Sequence, residues 1–132
     1  MASPTQRTLG MLRRLGWQVA VVEKWLKHPN MAFGRRIDLW GFADVIGCRE
    51  PDEIALFQIC SGGGGDHAER RAKILGKLDQ SGMTDKEKAE ADRVARNARG
   101  WLRSGGRIMI ISWGKRGPKD AKRWTARVEH IQ

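Results

Sequence analysis

The sequence predicts a mixed α/β domain in which helices flank a mixed central β-sheet. The predicted elements follow the order α-β-β-β-α-α-β-β, and alternation of this kind is typical of a sheet covered by helices. The chain has 132 residues, a length typical of one domain. Residues 107–113 are almost wholly apolar, as expected for a strand buried on both faces. We therefore expect one domain over residues 1–132, with a loose segment at 1–4.

The first half of the chain predicts one helix and three strands. A helix is predicted over residues 5–15, where the leucines share one face. Residues 17–25 are rich in β-branched and aromatic side chains and predict the first strand. Two further apolar runs, 36–48 and 54–61, are joined by a short polar turn containing Pro51. This arrangement predicts a β-hairpin.

Two helices are predicted next. The first covers residues 66–80, with Asp66 as its N-cap, and its expected buried stripe is Ala68, Ala72, Leu75 and Leu78. The second begins at the capping box formed by Thr84 and Glu87 and ends near Ser104. At helical spacing, apolar residues fall on one arc of this second helix and arginines on the opposite arc. The arginine arc is either a solvated face or a surface that follows phosphates.

The chain ends with two strands. Residues 107–113 form the buried strand, and a basic turn follows at 114–119. Residues 122–131 predict an edge strand because of their charges. We expect Trp124 to pack inward from this strand.

Composition favours a polyanionic partner. The formal net charge is +10, from 25 Lys and Arg against 15 Asp and Glu, while 40% hydrophobic residues and six Trp indicate a folded chain. Nucleic acid is the first candidate partner of such a domain. Cys48 and Cys60 are expected to be packed, reduced thiols. Neither a membrane span nor the apolar core of a signal peptide is present, which predicts a cytoplasmic location without a membrane partner.

Asp44 and Gln58 are the first candidate metal ligands. The predicted hairpin places them on neighbouring strands, where a carboxylate beside an amide oxygen suits a hard divalent cation. An acid within an apolar strand is costly without a purpose. Asp38 lies about 20 Å away from Asp44 on a straight strand, unless Gly41 marks a bend. Glu23 could face the hairpin from the preceding strand. The alternatives are an ion pair of Asp38 with Arg35 or Arg36 and a surface position for Glu23.

The hairpin resembles that of the PD-(D/E)XK nuclease superfamily. Residues 41–47 are similar to the family's G-x-P-D-h-h-x, with Ala43 replacing the proline, and Gln58-Ile59-Cys60 stands in the (D/E)-x-K place. The resemblance covers residues 5–113 and is closest to small phage and archaeal Holliday junction resolvases. It implies a restriction-endonuclease-like fold and a metal-dependent DNA endonuclease.

The resemblance implies a set of site residues. Asp44, Gln58 and Asp38 would hold Mg²⁺ or Mn²⁺, with Asp38 and Glu23 as supporting acids. Gln58 brings no charge, and Cys60 replaces the motif lysine. Lys73 or Lys24 could replace that lysine from another element. Otherwise the site is inactive.

The implied substrate is branched DNA, namely a four-way junction cut by a homodimer in the cytoplasm, or in the host-cell cytoplasm if the protein is phage-encoded. Two alternatives stay open: a nuclease-fold DNA-binding protein without catalysis and an RNA-associated basic domain. Gly62–Gly65 could cradle a phosphate but lack the lysine of a nucleotide-hydrolysing loop. His67 is expected at the surface. The candidate DNA contacts are Arg35, Arg36, Arg70, Arg71, Lys73, Arg96, Arg99, Arg103, Lys115, Arg116 and Arg123.

Overall fold

The computed structural model of the protein describes residues 2–27, 29, 30, 32, 34–61, 64–119 and 121–132. This part of the chain contains three helices, a five-stranded sheet and a two-stranded sheet. The elements are α1 (Pro4–Arg14), β1 (Gln18–Val21), β2 (Lys24–Leu26), β3 (Arg35–Ile37), β4 (Val45–Arg49), β5 (Glu53–Ser61), α2 (Gly64–Leu75), α3 (Asp85–Arg103), β6 (Arg107–Arg116) and β7 (Arg123–Ile131).

The main sheet is mixed, which confirms the predicted fold class. Its strand order is β1-β4-β5-β6-β7. β5 and β6 are parallel, and the other neighbouring pairs are antiparallel. A parallel pair needs a crossover connection, which α2 and α3 supply. β7 lies at an edge of the sheet, as predicted, while β2 and β3 pair only with each other.

Two apolar cores cover opposite faces of the main sheet. On one face, α1 packs through Leu12 on Phe57 and Ile111. On the other face, α2 and α3 pack through Ile74 and Val94 on the even-numbered side chains of β5 and β6. Side chains alternate between faces along a strand, so consecutive residues of β5 belong to different cores. This alternation decides which face each polar residue near the end of β5 reaches.

The structure has two more strands before α2 than the sequence predicted. The strand expected at 17–25 breaks into β1 and β2, because the N–H groups of Val22 and Glu23 both donate to the Asp44 carbonyl. The run expected at 36–48 breaks into β3 and β4 around a turn. There Trp40 and Gly41 have positive φ angles of 54° and 82°. The predicted order α-β-β-β-α-α-β-β is therefore wrong in its number of strands.

The helices match the prediction except at their ends. The capping box between Thr84 and Glu87 opens α3, as predicted. A second capping box, at Ser3, places the start of α1 at Pro4, inside the segment expected to be loose. α2 ends at Leu75, five residues early, since Gly76 adopts a φ of +73° that glycine favours.

Several expected environments were wrong. In α2 the buried side chains are His67 and Ile74, whereas Ala68 is exposed. Trp124 is 40% exposed and Cys48 is exposed, although both were expected to pack inward. Cys60 is buried and free, as predicted. The expected phosphate cradle at 62–65 lies partly outside the described residues.

Gly106 is required where α3 turns into β6. A Cβ atom there would lie 2.1 Å from the Trp101 ring, whereas one at Gly100 would meet no atom within 4 Å. We expect Gly106→Ala to lower the free energy of unfolding by about 1–3 kcal/mol through overpacking. Gly100→Ala should raise it by about 0.5–1 kcal/mol, because alanine favours a helix. Urea unfolding of both variants tests this, and equal effects would contradict it.

Candidate metal centre

Asp44 lies where three segments of the chain meet. Its N–H donates to the Phe57 carbonyl of β5 at 2.9 Å, and its own carbonyl accepts the Val22 N–H from the end of β1 at 2.9 Å. The side chain is only 5% exposed. Its Oδ2 accepts the Ile59 N–H at 2.7 Å and the Gln58 amide Nε2 at 3.0 Å. The carboxylate is therefore fixed in place before any ligand binds.

Glu23 and Asp38 approach Asp44 from the two chain breaks described above. One carboxylate oxygen from each of the three residues lies within 4.8 Å of the others. The Trp40–Gly41 turn brings Asp38 back, with its bend held by the hydrogen bond from the Gly41 N–H to the Asp38 carbonyl at 3.2 Å. A Cβ atom at Gly41 would lie 2.5 Å from Val94. The turn thus needs glycine both for its positive φ and for its contact with α3.

Arg36 pairs with Glu23 and not with Asp38. Its Nε lies 3.6 Å from Glu23 Oε2, an ion pair too long for a hydrogen bond. The Glu23 side chain is 16% exposed, so it does not occupy the surface position left open by the sequence. Glu23 Oε2 is buried and has no hydrogen-bond partner among the described residues. An oxygen in this state is available to a cation.

Gln58 contacts Asp44, as predicted from the hairpin, but through its amide nitrogen. The amide donates to the carboxylate and so orients it. Gln58 Oε1 is buried without a hydrogen-bond partner in the described part of the chain. A buried polar atom normally has a partner, so this oxygen is a further candidate ligand for a cation.

Burial is the main cause of an unusual proton affinity at Asp44. It raises the pKa of Asp44 from 3.8 to about 8, with further increases from Asp38 and Glu23 and an opposing effect of the Ile59 hydrogen bond. Three carboxylates at this separation repel one another unless a proton or a cation lies between them. A divalent cation would take the place of that proton.

Cys60 stands where the nuclease motif has lysine, and it supplies no charge. Burial, followed by the charge of Asp66, raises the pKa of the Cys60 thiol to about 11. Arg70 acts in the opposite direction on the same thiol. Arg70 also pairs with Asp66 at 3.4 Å.

A cleft of about 450 Å³ opens onto this centre. Its walls include the first turn of α1 and the end of β5. Acidic side chains and two arginines share the lining, which consists of Ser3, Pro4, Thr5, Glu23, Arg36, Asp44, Ile59, Ser61, Asp66 and Arg70. The described lining contains no lysine. The cleft can thus accept a cation at its acids and an anion at its arginines.

Neither sequence-predicted lysine lies in the cleft. Lys24 is exposed on β2 and lines a neighbouring pocket with Asp38 and Arg93. Lys73 lies on α2 near Glu90 of α3, and its charge helps to lower the pKa of Glu90. The sequence did not identify Arg70 as a cation of the cleft. The buried residues of α2 determine which side of the helix faces the cleft, and the pattern of apolar residues did not show these buried positions.

The other predicted DNA contacts lie on four parts of the fold. Arg71 is tied to Glu129 at 2.7 Å. Arg35 is exposed on β3, while Arg96, Arg99 and Arg103 form an exposed stripe on α3. Lys115, Arg116 and Arg123 lie on the β6–β7 hairpin.

His67 is buried, although it was expected at the surface. Its Nδ1 forms a hydrogen bond with Ser112 Oγ and its Nε2 forms one with Glu129 Oε1, both at 2.8 Å. These contacts join α2 to β6 and β7. His67 and Ser112 are at most 2% exposed, so we assign them a structural role.

Comparisons with known proteins give no family for this chain. No protein-family model matches it, and neither the search of curated proteins nor that of solved structures found a similar protein. Of the helices in the described ranges, none has the length and apolar character needed to cross a bilayer.

Asp44→Asn should change how stability depends on pH in the absence of metal. Unfolded Asp44 ionises near pH 3.8 and folded Asp44 near pH 8, so the stabilising effect of its proton is complete below pH 3.8 and is lost as pH rises to 8. Asparagine carries no such dependence. Relative to the wild type, the free energy of unfolding of Asp44→Asn should rise by on the order of a few kcal/mol between pH 4 and pH 8.

Urea unfolding in EDTA across this pH range measures the difference. Asp52→Asn, in the exposed β4–β5 turn, is the control and should follow the pH dependence of the wild type. A constant difference between Asp44→Asn and the wild type would show that Asp44 is already ionised at pH 4.

Proposed function

We propose that the protein is a metal-dependent DNA endonuclease related to the PD-(D/E)XK superfamily. The observation that carries the proposal is the meeting of Glu23, Asp38 and Asp44 at the end of β5, beside the unpartnered Gln58 Oε1. Carboxylate and amide oxygens are the ligands that Mg²⁺ and Mn²⁺ take in phosphate-processing sites. The bound cation would supply charge stabilisation and an activated water.

The topology supports a restriction-endonuclease-like reading. An initial helix precedes the antiparallel pair of β4 and β5, with Asp44 directly before β4, and a helical crossover leads to a parallel strand. This is the order that the resemblance implies. The added strands β2 and β3 position two of the acids. Glu23 lies in the break before β2, and Asp38 lies in the turn after β3.

The residues of the chain would divide the work as follows. Glu23, Asp38 and Asp44 would hold the cation, and Gln58 would orient Asp44 through its amide. Arg70 would hold the scissile phosphate in place of the motif lysine, because a guanidinium stays charged and binds two phosphate oxygens together. Arg36 would bind a neighbouring phosphate once the cation shares Glu23.

The cations outside the cleft differ in their distance from it. Ser61 lines the cleft at the end of β5, whereas Arg103 is followed by β6, whose Arg107 pairs with Ala55. Six residues of strand separate Ala55 from Ser61, which is about 20 Å. The end of the arginine stripe on α3 therefore lies at the opposite end of β5 from Ser61, whereas the β6–β7 hairpin lies at the same end as Ser61. Sequence-independent phosphate contacts by these groups would be salt-sensitive.

A four-way junction is the substrate that we propose first. Its symmetric cleavage would require two copies of the site related by two-fold symmetry. The second candidate is a DNA-binding protein without catalysis. It is favoured by Gln58 and by the neutral Cys60 thiol, which leave the motif positions without a second acid or a lysine.

Cleavage of labelled DNA tests the proposal. The wild type and Asp44→Asn are compared on a four-way junction, a linear duplex and a single strand, each with Mg²⁺, Mn²⁺ or EDTA. We expect metal-dependent cutting that falls more than about a hundredfold in Asp44→Asn, because a metal ligand is lost. DNA binding in EDTA should persist in both proteins.

The pattern of products separates the candidates. Paired symmetric nicks confined to the junction support a resolvase, and cutting of all three substrates supports a nuclease without junction selectivity. Binding without cutting in either metal would reject the nuclease and favour the binding protein.

Arg70 and Lys73 provide a matched pair on one helix. Arg70→Ala should lower the cleavage rate by about a hundredfold, because it removes a cation that lines the cleft. Lys73→Ala, one turn later and outside the cleft, should change the rate little. Arg70→Lys should recover part of the loss. A larger effect of Lys73→Ala would instead support the migrated lysine that the sequence suggested.

A further inference from the structure

The β6–β7 hairpin extends past the end of the neighbouring strand. β6 pairs with β5 as far as Ser61 opposite Trp113, then continues to Arg116 with β7 as its partner. Ser61 lines the metal-binding cleft. The end of the hairpin therefore projects from the same edge of the sheet at which the three acids meet.

Trp124 lies on this projecting part, directly opposite Lys115. Its side chain is 40% exposed, on the face of the sheet that α1 covers. The Arg7 guanidinium lies 4.5 Å from the centre of the ring, and Lys115 Nζ lies 5.5 Å from it. Cations at these distances attract the ring and hold its orientation. Two cations therefore lie over the ring, and the 40% of the Trp124 side chain that stays exposed is an aromatic surface next to positive charge.

The hairpin carries a strong excess of positive charge. Residues 114–127 contain six Lys or Arg and one acid, Asp120. None of the six forms an ion pair with a carboxylate in the described ranges. The six are Lys115, Arg116, Lys119, Lys122, Arg123 and Arg127. A partner of this surface must therefore bring negative charge as well as a flat apolar group.

Helix α1 connects this surface to the cleft. Ser3, Pro4 and Thr5 line the cleft, and Arg7 covers Trp124 two residues later. Trp124 lies two strands away from β5 and beyond its end, so we place it about 10–15 Å from Ser61. That span corresponds to roughly three or four nucleotides of a strand.

We propose that Trp124 stacks on an unpaired base of a nucleic-acid strand whose phosphates the cations of the hairpin hold. Bases inside a duplex stack on each other, so an aromatic face is open only to an unpaired base. The proposal rests on the proposed nuclease function and changes its first substrate from a fully paired four-way junction to DNA with an unpaired segment. The substrate of the cleft would carry a single-stranded segment a few nucleotides from the cut.

Binding in EDTA tests stacking without cleavage. Fluorescence anisotropy measures the affinity for a labelled oligothymidylate of about twelve nucleotides and for a duplex of equal length. Trp124→Ala and Trp124→Leu should each weaken single-strand binding about tenfold and duplex binding less than about twofold. Trp124→Phe should retain most of the affinity, because it keeps an aromatic face.

Val128→Ala is the matched control. Val128 lies on the same face of β7 and is 43% exposed, yet it offers no aromatic surface, so its loss should leave both affinities unchanged. Leucine keeps an apolar side chain at position 124, so equal losses in Trp124→Leu and Trp124→Ala exclude a simple packing defect.

The outcomes separate this proposal from the nuclease. Equal losses on single strand and duplex, no loss, or no binding of single strand by the wild type would overturn stacking. Trp124-dependent binding without any cleavage would overturn the nuclease and leave stacking in place. Metal-dependent cleavage with unchanged affinities in Trp124→Ala would overturn stacking and leave the nuclease in place.

Discussion

The buried carboxylate of Asp44 is the constraint on which the site and much of the fold depend. The Asp44 backbone joins β5 to the end of β1, and its side chain accepts two further hydrogen bonds from β5. Removing a carboxylate from water is costly, and the approach of Glu23 and Asp38 adds to that cost. Such an arrangement is typical of functional sites, where stability is given up for a perturbed acid.

The same residue explains why the strands break where they do. Two consecutive N–H groups, those of Val22 and Glu23, turn toward the Asp44 carbonyl, so the chain leaves the main sheet. The left-handed conformation of Trp40 is unusual for a bulky residue, and the ring packs 5.9 Å from Trp101. Strain of this kind persists where surrounding contacts enforce it, and here it positions Asp38.

Local signals made part of the structure predictable. The capping box of α3, the apolar run of β6 and the contact between Asp44 and Gln58 each depend on residues close in sequence or on one hairpin register. The bend at Gly41 was named as a possibility from the glycine itself. The break between β1 and β2 was not predictable, because β-branched residues continue through Val22 and the partner that bends the chain lies far along it.

The sequence did not identify Arg70 as a basic residue of the cleft for a related reason. Three basic residues, Arg70, Arg71 and Lys73, lie on one helix. Only the orientation of α2 against the sheet shows which of them reaches the cleft. That orientation is set by Ile74 and by His67, a polar residue whose burial needs the distant partners Ser112 and Glu129. Sequence patterns of apolar residues do not report such a contact.

Charge is arranged in layers around the centre. The chain carries a net +10, yet three acids meet at its centre. Two of them, Glu23 and Asp44, line the cleft with Arg36 and Arg70, and the β6–β7 hairpin lies beyond. A polyanion would be attracted to the surface and repelled by the bare acids. A divalent cation among the carboxylates would remove that repulsion, which connects metal binding to the approach of the substrate.

The most direct test is the position of a bound Mn²⁺ ion in crystals of the protein, located by its anomalous scattering. We expect one peak coordinated by Glu23, Asp38 and Asp44 in wild-type crystals and no peak at this place in crystals of Asp44→Asn. A Mn²⁺ peak at another place with none among the three carboxylates, or no peak at all, would contradict the proposed metal site.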